Sequence, residues 1–369
     1  MRAEETTIAR VERGMDMLSR RRTFAAGLGT LGIIAACSRF ALASPPAAVG
    51  LVRNDDDWVT VSPGSQGIPG TNLDNLFDDA SSIQKLRSIV VIRNGFLIGE
   101  RYYGGTSMSD LRAIHSVTKS VGSMLVGRAI ELGAIKSVTQ TLGDLFPEAA
   151  RKSPASPVNS VSLAEILTMT SGLDNDMVSY WQNRSIQRGN PPMWDYNDAA
   201  VGLLSIIFAE AVGMPIEQFA NRELFGPLGI KDFVWPHDAD GYVQTHTGLQ
   251  LPPRDLAKIA WIMADKGRWR GRQVLSANWV EESTRSHVVP RWRLTPVTDI
   301  GYGYLWFNGK LKGTDVAWGW GYGAQFAMAI PSLRLAIATA ADRPNFADDL
   351  REQNRAVIRL VAQVVDLVT

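Results

Sequence analysis

The chain is short of the residues that several common catalytic designs require. Cys37 is the single cysteine among 369 residues, which excludes an internal disulfide and any cysteine-built zinc site. Histidine is nearly as scarce. His115, His237, His246 and His287 show no metal-ligand spacing, and no His-Glu-x-x-His is present, so neither a metal nor another cofactor is called for. The Gly-x-Ser-x-Gly elbow is missing, which argues against an α/β-hydrolase. Charge of one sign is lacking too: 38 basic residues face 37 acidic ones, and no Lys/Arg block lies beyond the N-terminal segment. A nucleic-acid partner is therefore not indicated. There is no internal repeat and no low-complexity tract.

What the chain does have is Ser116-Val117-Thr118-Lys119-Ser120 at the head of an apolar run. Residues three apart share a helix face, so Ser116 Oγ and Lys119 Nζ can meet. A serine hydroxyl is a weak nucleophile until a base takes its proton. A lysine amine serves as that base only when neutral, which burial and a nearby positive field favour. A helix N-terminus supplies such a field. Ser82-Ile83-Gln84-Lys85 has the same spacing but sits among polar residues before a strand-like run, so the setting separates the two. Val117, Val121, Met124, Leu125, Ala129, Ile130 and Leu132 make the second helix apolar enough to be largely buried, with Gly133 as its stop. The plain structural alternative for Ser116 is a helix N-cap.

The first 43 residues read as an address. Arg20-Arg21-Arg22-Thr23-Phe24, followed by the mild apolar stretch from Ala25 to Ala36, is a twin-arginine export pattern. Ala41-Leu42-Ala43 offers a cleavage site. Ile34-Ala35-Ala36-Cys37 instead resembles a lipobox, which would make Cys37 a lipid anchor to a membrane. The stretch is too short for an ordinary membrane span. A periplasmic or secreted location is expected, with a membrane-anchored lipoprotein as the alternative.

Residues 44–80, rich in Pro, Gly, Ser and Asp, read as an irregular lead-in, and residues 81–369 as the working domain. Ser88–Ile92 and Phe96–Glu100 flank Asn94-Gly95 as a hairpin. A helical region runs over about 120–256, broken by loops near 152–158 and 174–192. Strands return at Gly303–Phe307, Gln325–Ile330 and Leu335–Ala341, and 348–368 is a closing helix. Strands at both ends with helices between predict one sheet, from 88–103 and 300–341, carrying a helical insertion.

Two other segments stand out. Trp194-Asp195-Tyr196-Asn197-Asp198 puts a phenol, an amide and a carboxylate at a predicted helix start, and a Tyr beside a lysine can pass a proton to a leaving group. The bland reading has Asn197 or Asp198 as an N-cap with Tyr196 packed beneath it. Trp318-Gly319-Trp320-Gly321-Tyr322-Gly323-Ala324-Gln325 has glycine at alternate positions, leaving a strand edge bare for a substrate backbone. A backbone N–H here could join that of Ser116 in an oxyanion hole. The alternative is a Gly-rich, aromatic turn. His246-Thr247-Gly248 mimics a box of penicillin-recognising enzymes, but the loop Leu251-Pro252-Pro253-Arg254 follows it, so only a cleft-lining role is kept for His246.

In order along the chain, these segments resemble the serine β-lactamase-like hydrolases, which include class C β-lactamases, penicillin-binding carboxypeptidases, family VIII esterases and 6-aminohexanoate-dimer hydrolases. The likeness is nearest to the last group. It rests on Ser116–Ser120, Leu167–Leu173, Tyr196, Leu224–Ile230, Pro253–Ala257 and Gly321–Gln325. It implies an α+β fold, with an antiparallel sheet flanked by helices and an all-helical subdomain across a cleft. It also implies Ser116 as nucleophile, Lys119 as base partner and Tyr196 as proton shuttle, with an oxyanion site between the N–H groups of Ser116 and a residue near Tyr322. Substrate contacts are expected from Asp198, His246, Trp320, Gly321 and Gly323.

The departures bear on substrate. Tyr196-Asn197-Asp198 ends in an acid where class C enzymes have an amide, and an acid there would attract an amine-bearing substrate. No Lys-Thr-Gly stands on the late strand, which counts against β-lactams. The expectation is a small-molecule linear amide or ester cleaved through an acyl-enzyme. A β-lactamase or D-alanyl-D-alanine carboxypeptidase is the sibling alternative, and a non-catalytic envelope binding protein the alternative of another class.

Overall fold

The structure, a computed structural model, describes residues 57–174, 193–346 and 349–369. The export segment, Cys37 and the 175–192 part of the predicted loop lie outside the described residues. The chain from Asp56 onward forms one compact unit.

Seven strands, numbered here within their sheet, make its centre: β1 (Leu86–Arg93), β2 (Phe96–Tyr102), β3 (Thr298–Tyr302), β4 (Phe307–Leu311), β5 (Thr314–Gly321), β6 (Gln325–Ile330) and β7 (Leu335–Ala341). Their order is β2-β1-β7-β6-β5-β4-β3, and every pairing is antiparallel. The β1–β2 turn is tight because Asn94 and Gly95 both take positive φ, 53° and 87°, the conformation a two-residue hairpin needs. β1 pairs with β7, so two chain segments some 240 residues apart close the sheet. Both strands are apolar on both faces, as the two covered sides of a central strand require.

The helices of eight residues or more among the described residues are α1 (Gly70–Asp79), α2 (Val117–Glu131), α3 (Asp198–Ile207), α4 (Pro253–Ala264), α5 (Ala277–Thr284) and α6 (Asp349–Asp366). α2 packs on β5 and β6, and α4 on β1, β6 and β7. Shorter helical turns and two π-helical segments, Phe208–Val212 and Asn221–Phe225, fill the stretch between α2 and α4.

Two expectations need correction. Residues 70–79 are not an irregular lead-in but α1, whose Leu73 and Phe77 lie four apart on one face and bury against β2. Gly99 makes room for them, since a Cβ there would sit 2.7 Å from Leu73 Cδ2. Nor is 303–307 a strand. Gly303–Trp306 form the turn between β3 and β4, with Leu305 at φ 60°, and strand structure resumes at Phe307. The aromatic run there serves packing, because Trp306 is fully buried. The alternating glycines of 318–321 belong to the long strand β5, and the turn follows it.

Candidate active site

α2 enters the core from a sharp bend. His115 takes φ 47°, a left-handed conformation uncommon outside glycine, and Ser116 follows at the N-cap position. Such a backbone costs about 1–3 kcal/mol and is held only where its surroundings over-determine it. The Ser116 hydroxyl does not cap the helix. It is engaged elsewhere: Lys119 Nζ donates to Oγ at 2.9 Å and the Tyr196 hydroxyl at 2.8 Å. Ser116 thus holds the N-cap position without its side chain acting as the cap.

Three oxygens surround the buried Lys119 ammonium: Ser116 Oγ, the His246 backbone carbonyl at 2.5 Å, and Asp198 Oδ1 at 2.7 Å. Burial drives the Lys119 amine down from its ordinary value, and the Asp198 carboxylate opposes that shift. Burial in turn pushes Asp198 up, but the charge of Lys119, His246 and the hydrogen bond from Lys119 together hold the carboxyl below the usual range. Tyr196 is pushed well up by burial and by Asp198, so it rests as a neutral phenol able to donate. His246 and His115 are each driven to about 4, chiefly by burial, and are neutral at physiological pH.

The segment carrying Tyr196 is anchored from both ends. Asn197 accepts from Ala200 N at 2.7 Å, capping α3, while its Nδ2 donates to the Leu173 carbonyl at 2.6 Å. Asp198 is the first residue of α3, where a carboxylate also suits the helix dipole. The phenol ring stacks on Trp292, centroids 4.7 Å apart, and tilts against Trp194 at 5.9 Å. Trp292 meets Trp320 edge-on at 5.5 Å and stacks over Phe307. Lys119 Nζ lies 4.8 Å from the Tyr196 ring centroid. Sequence reasoning missed Trp292, which stands in a polar, proline-flanked stretch with no periodic signal. It also missed the backbone role of His246.

The glycines of β5 serve packing. A Cβ on Gly319 would lie 2.8 Å from Ser120 Oγ and 2.9 Å from Val117 Cγ1, and one on Gly321 would lie 2.4 Å from the Ile114 carbonyl. Their bare side thus admits the first turn of α2 and the bend before it. Ser120 Oγ donates to the Leu305 carbonyl at 2.7 Å, a second tie between α2 and the sheet. After β5 comes the turn Tyr322-Gly323-Ala324, with Gly323 at φ 80°. The Gln325 carboxamide donates to the carbonyls of Tyr322 and Gly323, and Gln353 of α6 to that of Gly323. The Tyr322 ring meets His115 edge-on at 6.2 Å, which places this turn beside the bend that precedes Ser116.

Other expected substrate contacts look different in place. The Trp320 indole N–H donates to Asn354 of α6 at 3.3 Å. The His246 ring is buried, its Nδ1 finds no hydrogen-bond partner among the described residues, and its carbonyl faces Lys119. The Asp198 carboxylate lies against the Lys119 ammonium. Ser82 Oγ donates to the Asp79 carbonyl and Lys85 reaches Asn345, so among the described residues the second Ser-x-x-Lys spacing does not bring its serine and lysine together. Among the described residues no group of three or more His, Cys, Asp or Glu could hold a metal ion.

A buried lysine and a phenol converge on one serine at a helix start, over an antiparallel sheet of the β-lactamase-like class. Residues 57–362 match the Beta-lactamase family model, and the chain belongs to that family. It is 24% identical over 225 residues to a 6-aminohexanoate-dimer hydrolase of Paenarthrobacter ureafaciens, a stretch covering 53% of this chain and 56% of that protein. The chain thus spans about half the length, or less, of the curated relatives it matches. Among solved structures it resembles a class C β-lactamase from Rhodobacter sphaeroides, with TM-score 0.61 and 16% identity over 80% of this chain and 99% of that one. It also resembles EstCE1, a hydrolase with promiscuous acyltransferase activity, with TM-score 0.63 and 14% identity over 81% and 98%. At such identities these structures speak for the fold.

Proposed function

We propose that the protein cleaves a small-molecule linear amide or carboxylic ester through an acyl-enzyme on Ser116. The observation that carries this reading is the double approach to Ser116 Oγ, by Lys119 Nζ at 2.9 Å and Tyr196 OH at 2.8 Å. Neutral Lys119 accepts the serine proton as Oγ bonds to the substrate carbonyl carbon. The oxyanion that forms is met by the N–H groups of Ser116 and Tyr322. Tyr196 donates its proton to the departing amine or alcohol and regains one from Lys119. Water then attacks the acyl carbon along the same path in reverse, releasing the acid and restoring the serine. No step calls on a cofactor.

A linear substrate is favoured over a β-lactam by the tryptophan and glycines that stand on β5 where a Lys-Thr-Gly would. Export by the twin-arginine route remains part of the proposal, with cleavage after Ala43 or lipidation of Cys37 as its two forms. The test is a panel of short amides, p-nitrophenyl esters and nitrocefin, run with the protein and with Ser116→Ala. Turnover of an amide or ester that vanishes in Ser116→Ala supports the reading. Nitrocefin turnover matching that of esters would favour the β-lactamase alternative, and turnover surviving Ser116→Ala would remove the nucleophile.

A further inference from the structure

Asp198 is the residue whose observed place differs most from its expected one. As an acid near the cleft it was expected to meet a substrate amine. Its carboxylate instead lies 2.7 Å from Lys119 Nζ, with the Lys119 side chain 2% exposed and the Asp198 side chain 19% exposed. An ammonium has three protons to donate, and Lys119 has three oxygens around it, those of Ser116, His246 and Asp198. Only one of these carries charge. Two surface cavities, lined by 286–301 residues including Arg293 and Asp299 and by Trp58, Trp261, Trp269 and Arg334, include none of Ser116, Lys119 or Tyr196 and hold no comparable constellation.

We infer that Asp198 is the counter-ion of Lys119, a positioning residue that holds the lysine against Ser116 and sets the pH above which it can act as a base. The inference deepens the function proposed above and rests on it. A carboxylate within hydrogen-bond distance of a buried ammonium favours the charged form, so more of the lysine is protonated at a given pH than if an amide stood at 198. The enzyme gains a lysine fixed in place and gives up part of its working range on the acid side.

The other groups facing Lys119 do not supply this effect. On α2 and its bend are Ser116 and His115. Beside Asp198 is the neutral phenol of Tyr196, whose ring centroid is 4.8 Å from Nζ. From the loop before α4 comes His246, through its carbonyl. β5 packs against the first turn of α2 at Val117 and Ser120 with glycine, not with a charged group. Both imidazoles stay neutral above pH of about 4. Asp198 is therefore the anion that opposes burial in setting the charge on Lys119.

The experiment is the pH profile of kcat/KM for Asp198→Asn and Asp198→Ala beside the unaltered protein, using one neutral ester and one ester bearing a primary amine. Removal of the carboxylate should move the acid limb to lower pH by about 1–3 units for both esters, the usual effect of an opposite charge at this range. Asp198→Glu, which keeps the charge, should return the limb toward its original place. An unmoved limb, or one moved upward, overturns the inference. So does a rise in KM confined to the amine-bearing ester, which would restore Asp198 to substrate binding. A merely structural acid at the start of α3 would change melting temperature and leave the limb where it was. Failure of the serine mechanism itself reads out separately, as turnover that persists in Ser116→Ala.

Discussion

Ser116, Lys119 and Tyr196 come from two helix starts 80 residues apart, and each is held by something other than its own helix. Tyr196 sits between the Asn197 cap and the Trp292 ring, so Tyr196→Phe keeps the ring packing and removes the hydroxyl with its hydrogen bond to Ser116. The expected result is a loss of about 10²–10⁴-fold in acylation rate with little change in melting temperature, measured by stopped-flow release of p-nitrophenol. Lys119→Ala should abolish acylation, and it leaves Asp198 as a buried charge without its partner, so lower stability is expected as well. The three residues were legible in the sequence because chemistry restricts which types can serve and because two apolar helices announce themselves by period. Trp292 and the His246 carbonyl were not. A backbone acceptor leaves no trace in residue type, and a tryptophan in a proline-flanked loop carries no pattern.

At the scale of elements, the site depends on how closely α2 approaches the sheet and on the helix that backs it. Gly319 and Gly321 admit its first turn and entry bend, and Gly127 admits Trp279 of α5 on another side, where a Cβ would fall 2.3 Å from the indole ring. Gly319→Val should push α2 off β5. A loss of about 1–3 kcal/mol is expected by urea denaturation, together with a fall in acylation rate, since Ser116 moves with the helix. Unaltered stability and rate would show that the contact is slack. The alternating glycines were visible in the sequence, but spacing alone does not tell which neighbour fills the space they leave. The same ambiguity put a strand at 303–307, where an aromatic run packs through a turn, and hid α1 within a stretch rich in turn-forming residues.

At the scale of the molecule, the sheet closes only when β1 meets β7, and ion pairs fasten that seam. Arg87 of β1 and Arg112 both reach Asp342, just past β7. Burial raises the Asp342 carboxyl, but the two guanidinium groups, Arg112 first, hold it below its usual range. A carboxyl depressed by folding stabilises the native state above its unfolded value, and that contribution fades as pH falls through its lower folded value. Melting temperature should therefore drop on acidification through the carboxylate range, and less so in Asp342→Asn. The pair is partly exposed, so the difference is expected to be small and to shrink with salt. The antiparallel sheet, the helical stretch between its halves and the family were legible from segment order. The partners across the β1–β7 seam were not, because long-range pairing has no local signature.

The most direct test of the central claim is the mass of the labelled protein. After incubation with a fluorophosphonate, peptide mapping should place a single adduct on Ser116, with labelling slowed in Tyr196→Phe and lost in Lys119→Ala. An adduct on another serine, or full-rate labelling of Ser116 in Lys119→Ala, would contradict it.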